Sequence, residues 1–181
     1  MQGKDLEEVI QSLRIFNKIL VTGPQRSGTT IAAQIIAADS SMPCVDEKEY
    51  SWRDPAIFRN LLNSKERLVI QCPNFAHIIE QFAGPGKCIV FMHRDPREII
   101  ASQRRIGWRS ASYQRKLYRG KVPYLMHLVT PICVIKYLHW HLHQKVLIPH
   151  YCDLSYASLS SHPRWIKPVQ RSAFNAKQTA L

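Results

Sequence analysis

The stretch GPQRSGTT, residues 23–30, combines residue types that can bind a tetrahedral anion. It lies between an apolar run, KILVT, and a helix-forming run, IAAQIIAA, so backbone N–H groups and the positive end of a helix dipole converge there. Glycine at positions 23 and 28 allows close approach of the backbone to a ligand. An arginine suits a phosphate or a sulfonate, and hydroxyls add further donors. The predicted anion-binding residues are Arg26, Ser27, Gly28, Thr29 and Thr30.

The sequence lacks two features of magnesium-dependent ATP-binding sites, one in this loop and one elsewhere. Thr29 stands where ATP-binding loops have a lysine, and no predicted strand ends in the aspartate that holds magnesium. A P-loop nucleotide kinase or NTPase is therefore an alternative and not the first hypothesis. If this segment is considered alone, the alternative is an ordinary strand–helix turn whose hydroxyls bind no ligand.

A second basic segment, RDPREIIAS, spans residues 94–102 and follows the apolar run CIVFMH. Together with the loop it resembles the sulfotransferase family, closest in motif style to the tyrosylprotein and bacterial branch. In that family a P-[KR]-S-G-T-T loop binds the 5′-phosphosulfate of the donor 3′-phosphoadenosine 5′-phosphosulfate (PAPS). A segment R-[DN]-P-[RK]-[DE]-x-x-x-S binds the donor's 3′-phosphate, which assigns that role to Arg94 and Ser102.

The resemblance implies sulfonate transfer to an acceptor hydroxyl or amine, with no metal required and with 3′,5′-adenosine bisphosphate as the product. The acceptor class stays open among small molecules, glycans and peptides. Without the resemblance, Arg94 and Ser102 would be a salt-bridged arginine and a helix-surface serine. From the tail, the resemblance implies that Arg171, with Lys177 as a further candidate, closes over the nucleotide.

The resemblance also suggests which group takes the acceptor proton. Tyrosylprotein sulfotransferases use a glutamate 21 residues after the loop arginine, and that position here is Glu47. We therefore predict Glu47 as the general base and Arg26 as the catalytic cation beside the sulfonate. Cytosolic sulfotransferases of small molecules use a histidine instead, but His77 lies later and is predicted inside a helix. The alternative for residues 46–49 is a solvated acidic turn.

One departure from the family pattern concerns catalysis. Gln71 stands two residues before Pro73, where many sulfotransferases have a lysine that polarises the leaving phosphate. A non-catalytic nucleotide-binding relative is therefore a second alternative. A metal site at His139 and His143 is not predicted, because no third ligand or H-E-x-x-H glutamate accompanies them.

The elements that must position these residues form an alternating pattern. Apolar strand-like runs at 18–22, 67–71, 87–93 and 145–150 alternate with helical patterns at 31–38, 54–63, 75–82 and 123–144. This predicts one α/β domain over 1–181, a three-layer P-loop NTPase-like fold whose parallel sheet has about four to five strands. The loop, residues 72–77 and residues 94–102 all follow strands, so they converge beyond one edge of the sheet.

Charge is distributed unevenly along the chain. Residues 1–93 hold ten Lys/Arg and ten Asp/Glu, whereas residues 94–181 hold 15 and three, which accounts for the net charge of +12. An anionic partner is predicted for this basic half, with 104–121 as its seat or as part of the nucleotide loop. The alternative is a solvated basic face. No motif that reads DNA or RNA is present, so no nucleic-acid partner is expected.

The five cysteines are odd in number and contain no C-x-x-C motif, which indicates reduced thiols in a cytoplasmic protein. No apolar run is long enough to span a bilayer, and no membrane partner is expected. The oligomeric state cannot be predicted from the sequence.

Overall fold

The computed structural model describes residues 6–50, 54–108 and 111–165. Its strands are β1 (Lys18–Thr22), β2 (Cys44–Val45), β3 (Leu68–Gln71), β4 (Lys87–His93) and β5 (Tyr151–Ser155). Its α-helices are α1 (Leu6–Leu13), α2 (Thr29–Ser40), α3 (Pro55–Asn63), α4 (Pro96–Arg105), α5 (Ala111–Leu117), α6 (Tyr124–Val129), α7 (Ile132–His139) and α8 (Tyr156–Ser160). Short 3₁₀ turns occupy Pro73–Phe75 and Ile79–Phe82, and a π-helical turn occupies Trp140–Gln144.

All five strands are parallel and lie in one sheet in the order β2-β3-β1-β4-β5. The chain leaves β1 towards β2 on one side of the sheet and leaves β4 towards β5 on the other. Such a divergence opens a crevice beyond the carboxyl ends of the two strands, which is where ligands bind in sheets of this kind. The predicted parallel α/β, P-loop-like fold is confirmed.

Helices cover both faces of the sheet, as parallel strands require. Side chains alternate along β1, so Ile19 and Val21 pack with α1 and α2, whereas Leu20 packs with α3 on the other face. Every residue of β1 is buried. Because the strand from which the loop emerges is fixed on both sides, the loop starts from a rigid base.

The chain turns sharply from β4 into α4. The Asp95 side chain accepts the Arg97 N–H at 2.7 Å, and Pro96 occupies the first turn, where its missing N–H costs nothing. The aspartate and the proline therefore begin the helix immediately after the strand. This keeps Arg94, which lies between the strand and the helix, at the carboxyl edge of the sheet.

Three of the predicted secondary-structure elements differ from those in the structure. The last strand is β5 and not residues 145–150, because the edge strand exposes most of its residues and its pattern is not an apolar run. The helix predicted over 123–144 breaks at Thr130, which is extended because Pro131 disfavours the helical conformation before it. Residues 75–82 form 3₁₀ turns instead of a helix, and His77 lies between them.

Candidate functional site

The loop between β1 and α2 folds tightly against the end of β4. Gly23 has φ 140°, and a Cβ atom there would meet the Met92 carbonyl oxygen at 2.8 Å. Gly28 has φ 97°, and a Cβ atom there would meet the ring of Tyr156 at 2.5 Å. Both positions therefore require glycine, for backbone conformation and for space. Arg26 also has positive φ, 76°, a conformation uncommon for a residue with a side chain.

Ser27 carries the clearest sign of a ligand site in this loop. The residue is fully buried, and its hydroxyl has no hydrogen-bond partner. The Ser27 Oγ lies 3.1 Å from the place where a Gly23 Cβ would be, so it faces the inside of the loop. Buried hydroxyls are rarely left unpaired, and an anion oxygen in the loop would accept this proton.

Arg94 is fixed at the mouth of the crevice by contacts on its backbone and its side chain. The Tyr137 hydroxyl accepts the Arg94 N–H at 2.9 Å and donates to the Arg94 carbonyl at 2.8 Å. The guanidinium lies 3.9 Å above the ring of Tyr156, its Nη1 donates to the Arg26 carbonyl at 3.1 Å, and its Nε pairs with Glu98 at 2.7 Å. The arginine is thus preorganised beside the loop.

The two sequence motifs meet directly. Arg26 Nε donates to the Ser102 hydroxyl at 3.1 Å, and Ser102 is only 6% exposed. The sequence assigns Arg26 to the 5′ end of a donor and Ser102 to the 3′-phosphate, about one nucleotide away. The structure brings these two side chains into contact, so the two predicted subsites share a wall.

The remaining loop hydroxyls differ in their surroundings. Thr29 is buried, and its Oγ1 accepts a hydrogen bond from Gln71 Nε2 at 3.3 Å, which leaves its own proton to be donated. Thr30, the next residue of α2, is exposed to solvent. Gln71 is also buried and bridges two parts of the site, because its Oε1 accepts the Glu47 N–H at 3.4 Å.

Glu47 follows β2 and lies partly buried at the same sheet edge. Its Oε2 accepts a hydrogen bond from Asn74 Nδ2 at 2.9 Å. Burial and the neighbouring Asp46 raise the pKa of Glu47, whereas the positive charge of Lys136 opposes that rise. A carboxylate whose pKa is raised by burial holds a proton more readily than a solvated one, so it is suited to accept a proton.

A directed chain of hydrogen bonds ends at Glu47. Lys136 Nζ donates to Gln25 Oε1, and Gln25 Nε2 donates to Asn74 Oδ1 at 3.3 Å. Asn74 Nδ2 then donates to the carboxylate. Each donor points towards Glu47, with a cation at one end and an acid at the other, so each bond polarises the next. Gln25 belongs to the loop between β1 and α2, so these hydrogen bonds join that loop to the candidate base.

Lys136, Asn74 and Gln25 were not singled out in the sequence. Lys136 is 2% exposed and lies on the apolar face of α7. A lysine at helical spacing between Ile132 and His139, in place of an apolar residue, was the signal that could have marked it. Asn74 had no comparable signal, because its role depends on the 3₁₀ turn after β3.

Lys136 gives a pH-dependent stability prediction. Burial lowers its pKa to about 7 in the folded protein, against about 10.4 in an unfolded chain. Between these values the unfolded state binds more protons, so this group makes the free energy of unfolding rise with pH from about 7 to about 10.

The variant Lys136→Met removes the buried charge with little change of shape. We expect it to raise the free energy of unfolding by about 1–4 kcal/mol at pH 6. The gain should fade from about pH 7 and be gone above about pH 10, where the lysine is neutral in both the folded and the unfolded state. Urea unfolding of both proteins at pH 6, 8 and 10 measures this difference. A variant less stable than the wild type at pH 6 would show that the charge is compensated in the fold.

A cavity of about 240 Å³ adjoins the chain of hydrogen bonds that ends at Glu47. Asn74 forms part of its wall, so the cavity lies one side chain away from Glu47. Burial and the charge of Lys121 lower the pKa of His77, another wall residue, to about 4. The imidazole is therefore neutral at pH 7. The remaining wall residues are Pro55, Phe75, Ile78, Tyr113, Gln114 and Leu117.

The other predicted positions are as follows. Arg171 and Lys177 lie outside the described residues. The rings of His139 and His143 are 5.5 Å apart, and in the described part of the chain no group of three His, Cys, Asp or Glu side chains could hold a metal. The five cysteines all lie within the described residues, and no two of them form a disulfide. Across residues 6–50, 54–108 and 111–165, every helix is too short or too polar to cross a membrane.

Comparison with protein-family models, with curated proteins and with solved structures finds no match for this chain. The function is therefore argued from the geometry of the site.

Proposed function

We propose that this protein is a sulfotransferase that moves a sulfonate group from PAPS to an acceptor hydroxyl or amine. The observation that carries the proposal is the meeting of two arginine-bearing segments around one buried, unpaired hydroxyl. Arg26 and Arg94 lie at the crevice between β1 and β4, and Ser27 faces the inside of the loop. This arrangement supplies fixed positive charge for two anionic groups, and its loop lacks the lysine of ATP-binding loops.

The loop residues Arg26, Ser27, Gly28, Thr29 and Thr30 hold the 5′-phosphosulfate in this proposal. Backbone N–H groups at the start of α2 add their dipole to the charge of the arginine. Arg94 and Ser102 hold the 3′-phosphate, the group that distinguishes PAPS from ATP. Arg94 would exchange its pairing with Glu98, an exposed carboxylate, for the stronger charge of the phosphate.

Glu47 acts as the general base. Its carboxylate removes the acceptor's proton as the acceptor oxygen forms a bond to sulfur and the bond from sulfur to the bridging phosphate oxygen breaks. Arg26 and the N-terminus of α2 stabilise the charge that collects on the departing oxygen. Asn74 orients the carboxylate, and the positive charge of Lys136 opposes the rise in its pKa.

The cavity beside Asn74 is the acceptor site in this proposal. No charged side chain lines it, so the part of an acceptor that enters is uncharged. Its volume of about 240 Å³ lies below the roughly 300–1,000 Å³ of pockets for drug-sized ligands, which indicates a small molecule or a single side chain. A larger acceptor would leave the rest of its structure outside the cavity.

Filling this cavity is expected to separate acceptor binding from nucleotide binding. Leu117→Trp on α5 places a large ring in the wall, and we expect acceptor KM to rise about tenfold or more. Affinity for 3′,5′-adenosine bisphosphate should remain within twofold, because Leu117 lies outside both residues 23–30 and residues 94–102. Initial rates with any acceptor found in a panel, together with calorimetry, measure the two effects. Equal loss of both affinities would contradict this placement of the acceptor.

The proposed function is tested by calorimetric titration of the full chain with 3′,5′-adenosine bisphosphate in the presence of EDTA. We expect binding at least tenfold tighter than that of adenosine 5′-monophosphate. Absence of binding, with magnesium-dependent binding of ATP instead, would support a P-loop kinase or NTPase. Binding without transfer to any hydroxyl or amine in an acceptor panel would support a non-catalytic nucleotide-binding relative.

A further inference from the structure

Helix α6 presents its apolar side chains to solvent instead of to the core. None of its residues is buried, and Tyr124, Leu125 and Val129 are 73%, 71% and 74% exposed. Met126 and Leu128, between them, are 40% and 55% exposed. Contiguous apolar surface of this kind marks an interaction site in soluble proteins. In most amphipathic helices the apolar face packs inward, so the outward face of α6 requires another explanation.

Polar contacts to the backbone hold α6 in this orientation. The Arg115 guanidinium of α5 donates to the carbonyl of His127 and, at 2.8 Å, to the carbonyl of Thr130. The His127 ring nitrogen contacts the Arg115 carbonyl at 2.8 Å in return. These bonds join α5 and α6 without using any of the large apolar side chains. The apolar residues of α6 are thus left to contact something outside the described chain.

The sequence on both sides of α6 is basic. Between Glu98 and Asp153 the sequence contains nine Lys/Arg and no acidic residue. Lys116 and Arg119, which precede α6 in the chain, are exposed. A second copy of this face would meet like charge, which disfavours self-association through α6. An anionic surface that also accepts apolar side chains satisfies both features.

We propose that α6 and the preceding basic residues Lys116 and Arg119 dock on an anionic membrane surface. The apolar side chains would enter the boundary between headgroups and acyl chains while the basic residues contact anionic headgroups. In this mode of binding the helix lies on the membrane surface. No spanning helix is needed, in keeping with the short helices described above. It differs from the sequence-based expectation of no membrane partner, which rested on the lack of a spanning segment.

This proposal does not depend on the nucleotide site. It does bear on the acceptor, because α5 carries Leu117 and Gln114 into the wall of the cavity. Docking through α6 would hold that wall close to the bilayer surface.

Sedimentation with lipid vesicles tests the proposal with the full chain. We expect partition onto phosphatidylcholine vesicles containing about one third phosphatidylserine, and little partition onto pure phosphatidylcholine. Lys116→Glu with Arg119→Glu should lower the partition coefficient roughly 30-fold or more, because each basic residue near an anionic surface contributes about fivefold. Leu125→Ser with Val129→Ser should lower it about tenfold or more, since lipid contact is lost.

Two matched variants serve as controls. Arg59→Glu with Lys65→Glu makes the same change in net charge on and beside α3, and Ile15→Ser with Ile57→Ser removes two exposed apolar residues elsewhere. Both controls should partition like the wild type, and all variants should keep the wild-type thermal unfolding midpoint because the positions are exposed. No partition by the wild type, or equal losses in controls and α6 variants, would overturn the proposal. A wild-type dimer that Leu125→Ser with Val129→Ser dissociates would assign this face to a second copy instead.

Discussion

Replacing Arg94 with alanine is expected to weaken binding of 3′,5′-adenosine bisphosphate about 10- to 100-fold, because hydrogen bonds to charged groups contribute about 1.5–3 kcal/mol. Binding of adenosine 5′-monophosphate, which has no 3′-phosphate, should change by less than threefold. The two nucleotides should differ because only the bisphosphate carries the 3′-phosphate that we assign to Arg94. Tyr137 and Tyr156 fix this arginine beside the loop, and the loop hydroxyls belong to other residues. Calorimetric titration with both nucleotides measures the two affinities.

Arg97→Ala is the matched control for this measurement. Arg97 lies in the first turn of the same helix, carries the same charge, and is exposed. It should leave both affinities within twofold of the wild type. If Arg94→Ala weakened both nucleotides equally, its bond to the Arg26 carbonyl would be its main role, and it would support the loop instead of binding the 3′-phosphate. If neither affinity changed, the assignment of Arg94 would be wrong.

The fold was predictable where local pattern and tertiary environment agree. Strands β1 and β4 are short apolar runs because both of their faces are covered, and their bounds are those predicted from the sequence. β5 was missed because it is an edge strand with one buried residue, Leu154. The two-residue strand β2 was missed because it takes its conformation from pairing with β3, which no short-range pattern announces.

The candidate site was likewise predictable only where it depends on local sequence. Residues 23–30 and 94–102 could be identified because an anion loop and a helix-starting Asp-Pro are local devices with fixed spacing. The contact between Arg26 and Ser102 could not, because it depends on how β1 and β4 pair. Lys136 comes from α7, 111 residues after Gln25, and reaches the site only through the packing of that helix.

Lys136 also changes the significance of Gln71. The sequence suggests that the site lacks one cation, because Gln71 stands where many sulfotransferases have a lysine. In the structure Gln71 positions Thr29 and the backbone of Glu47 through its amide, and a buried cation arrives from another element. The loss of charge at position 71 is therefore compatible with a charged site.

The second large effect expected concerns Lys136→Met and the ionisation of Glu47. Removing the lysine charge leaves burial and Asp46, which both raise the pKa of Glu47, with only Lys48 in opposition. A larger fraction of the base is then protonated at low pH, so sulfonate transfer at pH 6 should fall several-fold. In comparison, we expect Glu47→Gln to lower transfer about 100-fold or more at every pH, as loss of a general base does. The acid limb of the pH–rate profile, and a carbon-13 NMR titration of Glu47, measure the shift.

The pH dependence distinguishes an electrostatic role of Lys136 from a structural one. Because burial lowers the lysine's pKa to about 7, the wild type also loses this charge above that pH, and the two profiles should converge by about pH 9. Lys145→Met is the control, since that lysine pairs with Asp153 and does not contact Gln25 or Asn74. A deficit in Lys136→Met that stayed constant from pH 6 to pH 9 would mean that the lysine only supports packing. Convergence, with an unchanged profile for Lys145→Met, would mean that Lys136 acts on the base through its charge.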